Sequence, residues 1–107
     1  MRKHLGEFEM LVLAAILRLG SDAYGVTIRR EIERRVKRPV AVGAVYTTLE
    51  RLEDKGYVSS KVGPPTAVRG GRSKRYYAVK ASGEKALRRA VTALSKMTEG
   101  LDLVVPA

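Results

Sequence analysis

The sequence predicts a mainly α-helical fold that carries one small β-hairpin. Apolar residues recur at helical spacing in four segments, and two short segments of alternating apolar and polar residues separate the third from the fourth. A stretch rich in glycine and proline joins those two short segments, which is typical of a hairpin with a long tip. The 107 residues fit one domain with a modest core.

The first predicted helix covers residues 5–19 and is apolar on nearly every side. A helix of that kind must be covered on every side, and one small domain rarely provides enough cover. We therefore expect a second copy of the chain to contact Phe8 and Leu11. Gly20 ends the helix, because glycine readily adopts the left-handed conformation that often follows a helix.

The second and third predicted helices cover residues 24–36 and 42–55. Pro39 lies between them, and the residue before a proline is disfavoured in a helix. One predicted buried stripe of the third helix consists of apolar residues at spacings of three and four: Val42, Val45, Leu49 and Leu52. Two helices joined by a short turn form a helix-turn-helix.

The two predicted strands cover residues 57–62 and 74–80, and a fourth helix begins at Ala81 or Ser82. Apolar residues of the last segment follow the spacing of a helix seam, so we expect the first to pack within the domain and the later ones to contact a second copy. These residues are Leu87, Ala90, Leu94, Met97, Leu101 and Val104. Three helices and a hairpin form a winged helix, predicted here for residues 1–80. Residues 81–107 are then a dimerisation helix that is not an independent domain.

The charge of the chain predicts a polyanionic partner. Lys and Arg number 21 and Asp and Glu 11, which makes the net charge +10. The partner could be nucleic acid or an anionic membrane surface. The cations of the hairpin lie in a loop rich in glycine and proline rather than on one face of an amphipathic helix, which disfavours the membrane. The longest apolar run covers only residues 10–17, so we expect a soluble, cytoplasmic protein.

The residue types disfavour an enzyme. The chain has no cysteine and a single histidine, His4, so a thiolate nucleophile and a zinc site built from several imidazoles are both excluded. The acids occur in helical charged patterns such as EIERR and ERLED, which are typical of solvated surfaces. We expect no catalytic residue, no metal site and no cofactor. The residues do not identify a small-molecule effector.

Two groups of residues predict contacts with a nucleic acid. Seven Lys or Arg residues and no acid lie between Lys55 and Gly83, and cations at a hairpin tip can reach a phosphate backbone. The predicted hairpin contacts are Lys61, Arg69, Arg72, Lys74 and Arg75. Small and neutral side chains let a helix enter the major groove, and the third helix offers Gly43, Ala44, Tyr46, Thr47 and Thr48, followed by Arg51. Tyr46 could instead lie at the edge of the core.

The motifs of the chain resemble one known family. They are YG at residues 24–25, GAVYTTLERLEDKG at residues 43–56, and GGRSKRYY shortly before ASG. Over about residues 5–94 the chain resembles the PadR family of bacterial transcriptional regulators. The resemblance implies a winged-helix domain, a homodimer and binding to palindromic operator DNA, usually as a repressor. Tyr46, the basic hairpin and the Tyr76–Tyr77 pair occupy matching positions.

Two hypotheses follow for the function. The leading one is a homodimeric regulator, acting as a repressor, that binds double-stranded DNA at an inverted repeat. The alternative is a winged-helix module that binds RNA or a protein partner. Specificity for duplex DNA with two-fold symmetry separates the two.

Overall fold

The computed structural model describes residues 4–64 and 73–103. The described part of the chain is mainly helical with one two-stranded antiparallel hairpin, which confirms the predicted fold class. The elements are α1 (Glu7–Leu19), a short 3₁₀ turn (Gly20–Asp22), α2 (Gly25–Val36), α3 (Val42–Asp54), β1 (Val58–Val62), β2 (Arg75–Val79) and α4 (Ala81–Thr98).

The core lies where α1, α2 and α3 pack together, and the hairpin closes one side of it. Its largest fully buried side chains are Val12, Leu13, Ile28, Val45, Leu49, Leu52 and Val58. Val42 was predicted to belong to this core, and that prediction is wrong, because its side chain is 42% exposed. Val42 is the first residue of α3, and this end of the helix lies outside the core.

The backbone conformation accounts for the ends of the first two helices. Gly20 follows α1 as predicted, and its φ of 58° is one that glycine adopts readily, but its ψ of −123° differs from the predicted left-handed conformation. α2 ends earlier than Pro39 requires, because Lys37 adopts the left-handed conformation and its N–H donates to the carbonyl of Glu33 at 3.0 Å. The carboxylate of Glu33 then accepts a hydrogen bond from the N–H of Val40, also at 3.0 Å. These bonds hold the turn that leads into α3.

The hairpin is attached to the segment that precedes α2. Val58 pairs with Val79, Ser60 with Tyr77 and Val62 with Arg75. Tyr77 points into the core. The N–H of Tyr77 also donates to the carbonyl of Ala23 at 2.8 Å. The backbone therefore fixes the hairpin against the start of the helix-turn-helix.

α4 packs on the rest of the chain through its first turns only. Gly83 is buried, while Ala86 and Leu87 are half-buried against the core. Beyond them the helix is exposed except at the half-buried Ala90 and Thr98, and it ends at Thr98. The predicted seam therefore stops short of Leu101, which lies beyond the helix end, where Gly100 has a φ of 83°. Val104, the last predicted member, lies outside the described residues.

No helix within residues 4–64 and 73–103 is both long and apolar enough to cross a bilayer.

Candidate nucleic-acid interface

The exposed side of α3 lies opposite the side that the helix buries in the core. Each residue turns an α-helix by about 100°, and the side buried in the core contains Val45, Thr48, Leu49 and Leu52. The residues opposite to them are all exposed, and we call them the outer line of α3: Gly43, Thr47, Glu50 and Asp54. This line is the part of α3 that is free to enter a groove of DNA.

One predicted contact residue lies on the wrong side of α3. Thr48 is only 5% exposed, so the expectation that its side chain is presented to DNA is wrong. It follows Val45 by three residues and precedes Leu52 by four, and residues at those spacings share one face of a helix. Gly43, Ala44, Thr47 and the half-exposed Tyr46 are accessible as predicted.

The two flanks of the outer line face different neighbours. Tyr46 and Glu53 lie toward the hairpin, where the Glu53 carboxylate accepts a hydrogen bond from the hydroxyl of Ser60 at 2.7 Å. Burial raises the pKa of Tyr77 in the hairpin, and the nearby carboxylates of Glu53 and, to a smaller extent, Glu50 raise it further. Arg51 lies on the other flank, near the start of α1, where its charge helps to lower the pKa of Glu9. Arg51 is therefore exposed at the side of α3 rather than on its outer line.

Tyr46 packs on the first residue of α2. A methyl group added at Gly25 would overlap the phenol of Tyr46 and would lie 2.8 Å from its Cε1 atom. Tyr46 is nevertheless 47% exposed. Tyr46 is thus positioned by α2 while much of its surface stays accessible. Its hydroxyl lies at the helix start, where the first backbone N–H groups lack partners within the helix.

The residue before α2 is held in place by a local hydrogen-bond pair. The N–H of Tyr24 donates to Oγ1 of Thr27 at 3.0 Å, and the Thr27 hydroxyl donates to the carbonyl of Asp22 at 2.6 Å. Thr27 therefore supports the helix start from inside the first turn, as the third residue of a capping box does. The ring of Tyr24 is left in a defined position beside the hairpin.

An aromatic and cationic cluster joins that ring to the second strand. Tyr24 and Tyr76 meet edge to face with their centroids 5.5 Å apart, and Nζ of Lys74 lies 4.6 Å from the Tyr24 centroid. Gly63 gives room for Tyr76, because a methyl group there would lie 2.6 Å from its Cε2 atom. Contacts of this kind contribute about 0.5–1 kcal/mol each. The cluster fixes the hairpin next to α2.

Two of the predicted hairpin cations, Lys61 and Arg75, lie on different faces of the hairpin. Lys61 pairs with Tyr76, whereas Arg75 pairs with Val62, so Lys61 and Arg75 point to opposite faces of the hairpin. Arg75 faces α3: its Nη1 donates to Oγ of Ser60 at 2.9 Å, and that hydroxyl donates to the Glu53 carboxylate at 2.7 Å. Lys61 is exposed on the other face. The predicted contacts Arg69 and Arg72 lie outside the described residues.

Sequence reasoning overlooked two parts of this interface. The packing of Tyr46 on Gly25 joins two helices through side-chain geometry, which residue spacing does not reveal. Glu50 lies on the outer line of α3, although no acid is among the contacts predicted for this helix. Its spacing of three residues from Thr47 and seven from Gly43 is the signal that places it there.

A helix-turn-helix followed by a hairpin, with cations along the hairpin, defines a winged-helix DNA-binding protein. The chain matches the model of the transcriptional regulator PadR-like family over residues 12–89. It therefore belongs to the PadR-like family of transcriptional regulators. Members of this family bind DNA and are not enzymes.

Solved structures share this fold. A PadR family transcriptional regulator from Eggerthella lenta DSM 2243 is 21% identical, with a TM-score of 0.73 over 88% of this chain and 77% of that chain. A transcriptional regulator from Clostridium thermocellum is 20% identical, with a TM-score of 0.73 over 92% and 89%. A PadR-like transcription factor from Bacteroides fragilis is 22% identical, with a TM-score of 0.71 over 89% and 86%. No curated protein is significantly similar to the chain.

Proposed function

We propose that this chain is a cytoplasmic repressor that binds an inverted-repeat operator as a homodimer. The observation that carries the proposal is the apolar face of α4, which continues past the body of the domain without cover. Leu87 packs against the core, whereas Leu94, seven residues later and on the same face, is 61% exposed. A stripe of that spacing is stabilised when a second helix covers it.

The proposed dimer interface consists mainly of the second half of α4. Val91 and Met97 are exposed beside Leu94, and the exposed Leu17 of α1 borders the same surface. Phe8, Leu11 and Leu87 are half-buried against the core of their own protomer, so we place them at the edge of this interface. Leu101 extends it beyond the helix end. Residues 1–80 would then bind DNA, and residues 81–107 would form the dimerisation arm.

In this proposal α3 supplies sequence specificity and the hairpin supplies affinity. The side chains at the start of α3, namely Gly43, Ala44, Tyr46 and Thr47, approach base edges in the major groove. The hairpin cations Lys61, Arg69, Arg72, Lys74 and Arg75 neutralise phosphates, with Arg51 at the flank of α3. Phosphate contacts position the protein and carry no direct base information, so we assign specificity to the side chains of α3 and affinity to the hairpin cations.

Two-fold symmetry relates the dimer to the form of its operator. Two recognition helices meet successive major grooves on one side of the duplex when they lie about 34 Å apart, or a multiple of that distance. The preferred site is then an inverted repeat with half-site centres about 10 base pairs apart, or a multiple. Repression follows if the dimer occupies a promoter and excludes other proteins from it.

The test is a binding selection from a random duplex pool with the full chain. We expect an inverted repeat with the stated spacing, and tighter binding to that duplex than to an RNA duplex of the same sequence. Recovery of a single, unrepeated site would contradict the dimeric arrangement. Equal or tighter binding to RNA would favour the alternative function, a winged-helix module that binds RNA. Transcription in vitro from a promoter carrying the recovered site should decrease as the protein is added.

A further inference from the structure

Glu50 occupies a position on α3 that faces the proposed DNA. It lies on the outer line, three residues after Thr47 and opposite the buried side of the helix. Three residues advance a helix by about 4.5 Å, and base pairs are spaced by about 3.4 Å, so Glu50 follows Thr47 by between one and two base-pair steps if the helix axis runs along the groove. Its side chain is exposed and has one more methylene group than that of Asp54, which ends the line.

The charge of Glu50 is not compensated within residues 4–64 and 73–103. In that part of the chain the carboxylates of five other glutamates form ion pairs, namely Glu7, Glu9, Glu31, Glu33 and Glu84. On α3 itself, Glu53 accepts a hydrogen bond from Ser60. Arg51, the nearest cation in sequence, lies on the flank toward Glu9. Glu50 therefore presents a bare carboxylate on the face that approaches a polyanion.

A carboxylate in this place gains free energy from one kind of DNA group. It is repelled by phosphates, and it is a hydrogen-bond acceptor only. The donors on the floor of the major groove are the N4 amino group of cytosine and the N6 amino group of adenine. Adenine also presents N7, an acceptor that repels the second carboxylate oxygen, whereas cytosine presents a C–H group beside N4. Cytosine is therefore the better partner.

We propose that Glu50 determines specificity by accepting a hydrogen bond from the N4 amino group of a cytosine, once in each half-site. The inference rests on the proposed function, because it requires α3 to enter the major groove. Glu50 then joins Thr47 and Tyr46 as a determinant of specificity, and it discriminates between bases through its charge. Away from its cytosine, the carboxylate lowers affinity, so Glu50 acts against incorrect sites as well as for the correct one.

Three variants test the inference by selection from one random duplex pool: Glu50→Gln, Glu50→Ala and Asp54→Asn. The parent chain should recover a cytosine at one symmetric pair of positions. Glu50→Gln should change that pair to adenine, because a glutamine amide both donates to N7 and accepts from N6. Glu50→Ala should recover no preference at that pair and the parental bases elsewhere. Asp54→Asn is the control: it removes the same charge one turn later and should recover the parental motif.

A modified duplex provides a second measurement. Replacing the recovered cytosine with 2-pyrimidinone removes only the N4 amino group. The parent chain should then bind about tenfold more weakly, the loss expected for one base-specific contact. Glu50→Ala should bind the modified and unmodified duplexes equally. Thermal melting of each variant checks the fold, and little change is expected because Glu50 is exposed.

The outcomes separate this inference from the proposed function. If the parent recovers a motif and both Glu50 variants recover the same one, with a uniform increase in affinity, Glu50 only weakens binding and the inference is overturned. If the pyrimidinone duplex binds the parent as well as cytosine does, the inference is also overturned. If the parent binds no duplex with a preferred sequence, the proposed function fails, and this inference with it.

Discussion

The phenol of Tyr46 on α3 lies against the backbone of Gly25, the first residue of α2, and leaves no room for a methyl group there. The two helices of the helix-turn-helix therefore pack closely where an aromatic ring of α3 lies against a glycine of α2. Because the ring is half exposed, the contact both orients Tyr46 and keeps it accessible to DNA.

The substitution Gly25→Ala should displace the ring of Tyr46. Tyr46 is 47% exposed and its ring is at the end of a side chain, so the ring can rotate outward. The free energy of unfolding should therefore change by no more than about 1 kcal/mol. DNA affinity should nevertheless decrease, because Tyr46 leaves its position. Urea unfolding and DNA titration measure the two quantities.

A double-mutant cycle with Tyr46→Ala provides the control. If the two residues act through the same contact, Gly25→Ala should have little further effect on DNA affinity once Tyr46 is alanine. Additive losses would show that Gly25 acts on DNA independently of the ring.

Gly83→Ala should be far more damaging to stability than Gly25→Ala. A methyl group at Gly83 would lie 3.0 Å from the carbonyl carbon of Tyr57 and closer still to its oxygen. That backbone cannot easily move, because the same carbonyl accepts the N–H of Lys80 at 2.9 Å and the N–H of Tyr57 donates to Leu52. We expect a loss of about 1–3 kcal/mol in the free energy of unfolding, the usual cost of overpacking.

Gly43→Ala is the matched control for that substitution. Position 43 is in the first turn of α3 and has no neighbour within 4 Å of an added methyl group. Alanine favours the helix by up to about 1 kcal/mol over glycine, so this variant should be as stable as the parent or more so in urea unfolding. Equal destabilisation of the two variants would contradict the account of Gly83.

The sequence was sufficient for the elements of the fold and insufficient for the contacts between them. Apolar periodicity placed the helices and strands of the described residues within two residues of their observed ends, except for the C-terminal end of α4, which lies at Thr98 rather than beyond Leu101. Thr48 was misplaced because its hydroxyl and methyl groups suit a DNA contact, whereas its spacing from Val45 and Leu52 puts it in the core. At this position helical spacing predicts burial better than residue type does.

Other features depend on information that residue spacing does not contain. The opposite orientations of Lys61 and Arg75 follow from the register of the hairpin, and the register depends on the length of the tip. The packing of Tyr46 on Gly25 depends on the angle between two helices. By contrast, the sequence itself indicates that helicity weakens before Leu101, because Gly100 favours a break in the helix.

The buried Glu9 should make stability depend on pH in the acidic range. Burial alone would raise the pKa of Glu9, but hydrogen bonds from Lys55 at 2.7 Å and from the N–H of Gly6 at 2.8 Å outweigh it and leave the pKa lowered. The unfolded chain therefore takes up the proton first as the pH falls. Stability from this group is complete above the ordinary glutamate pKa of about 4.3 and is lost as the pH falls through the lowered value.

Glu9→Gln should flatten this part of the pH profile of the melting temperature. At neutral pH it should also cost about 1–2 kcal/mol, because the ammonium of Lys55 loses its charged partner in a largely buried place. Glu84→Gln is the control: its pair with Arg88 is exposed, so both stability and the acidic profile should stay close to those of the parent. An unchanged profile for Glu9→Gln would refute the assignment.

Leu94→Glu should produce monomers if the exposed face of α4 is the dimer interface. A charge placed in an apolar seam must be buried without a partner, which strongly opposes association. Ser95→Glu is the matched control, since it adds the same charge one residue later on a different side of the exposed helix. Sedimentation should give a monomer for the first variant and a dimer for the second, and operator binding should weaken only in the first. A parent chain that sediments as a monomer at all concentrations would contradict the dimer.

Lys74 has two potential roles, and two substitutions separate them. Its ammonium lies above the ring of Tyr24, and it is also one of the cations proposed to contact phosphate. Each phosphate contact contributes about 0.9 to the slope of log affinity against log salt, so a dimer with about 8 contacts should have a slope near −7. Lys74→Gln removes one cation per protomer and should make that slope shallower by about 2. Tyr24→Leu keeps the ammonium and removes the ring that positions it, so affinity should fall while the slope stays near that of the parent. If Lys74→Gln lowers affinity with an unchanged slope, Lys74 acts only by holding the hairpin against α2, because a residue that releases no counterions contacts no phosphate.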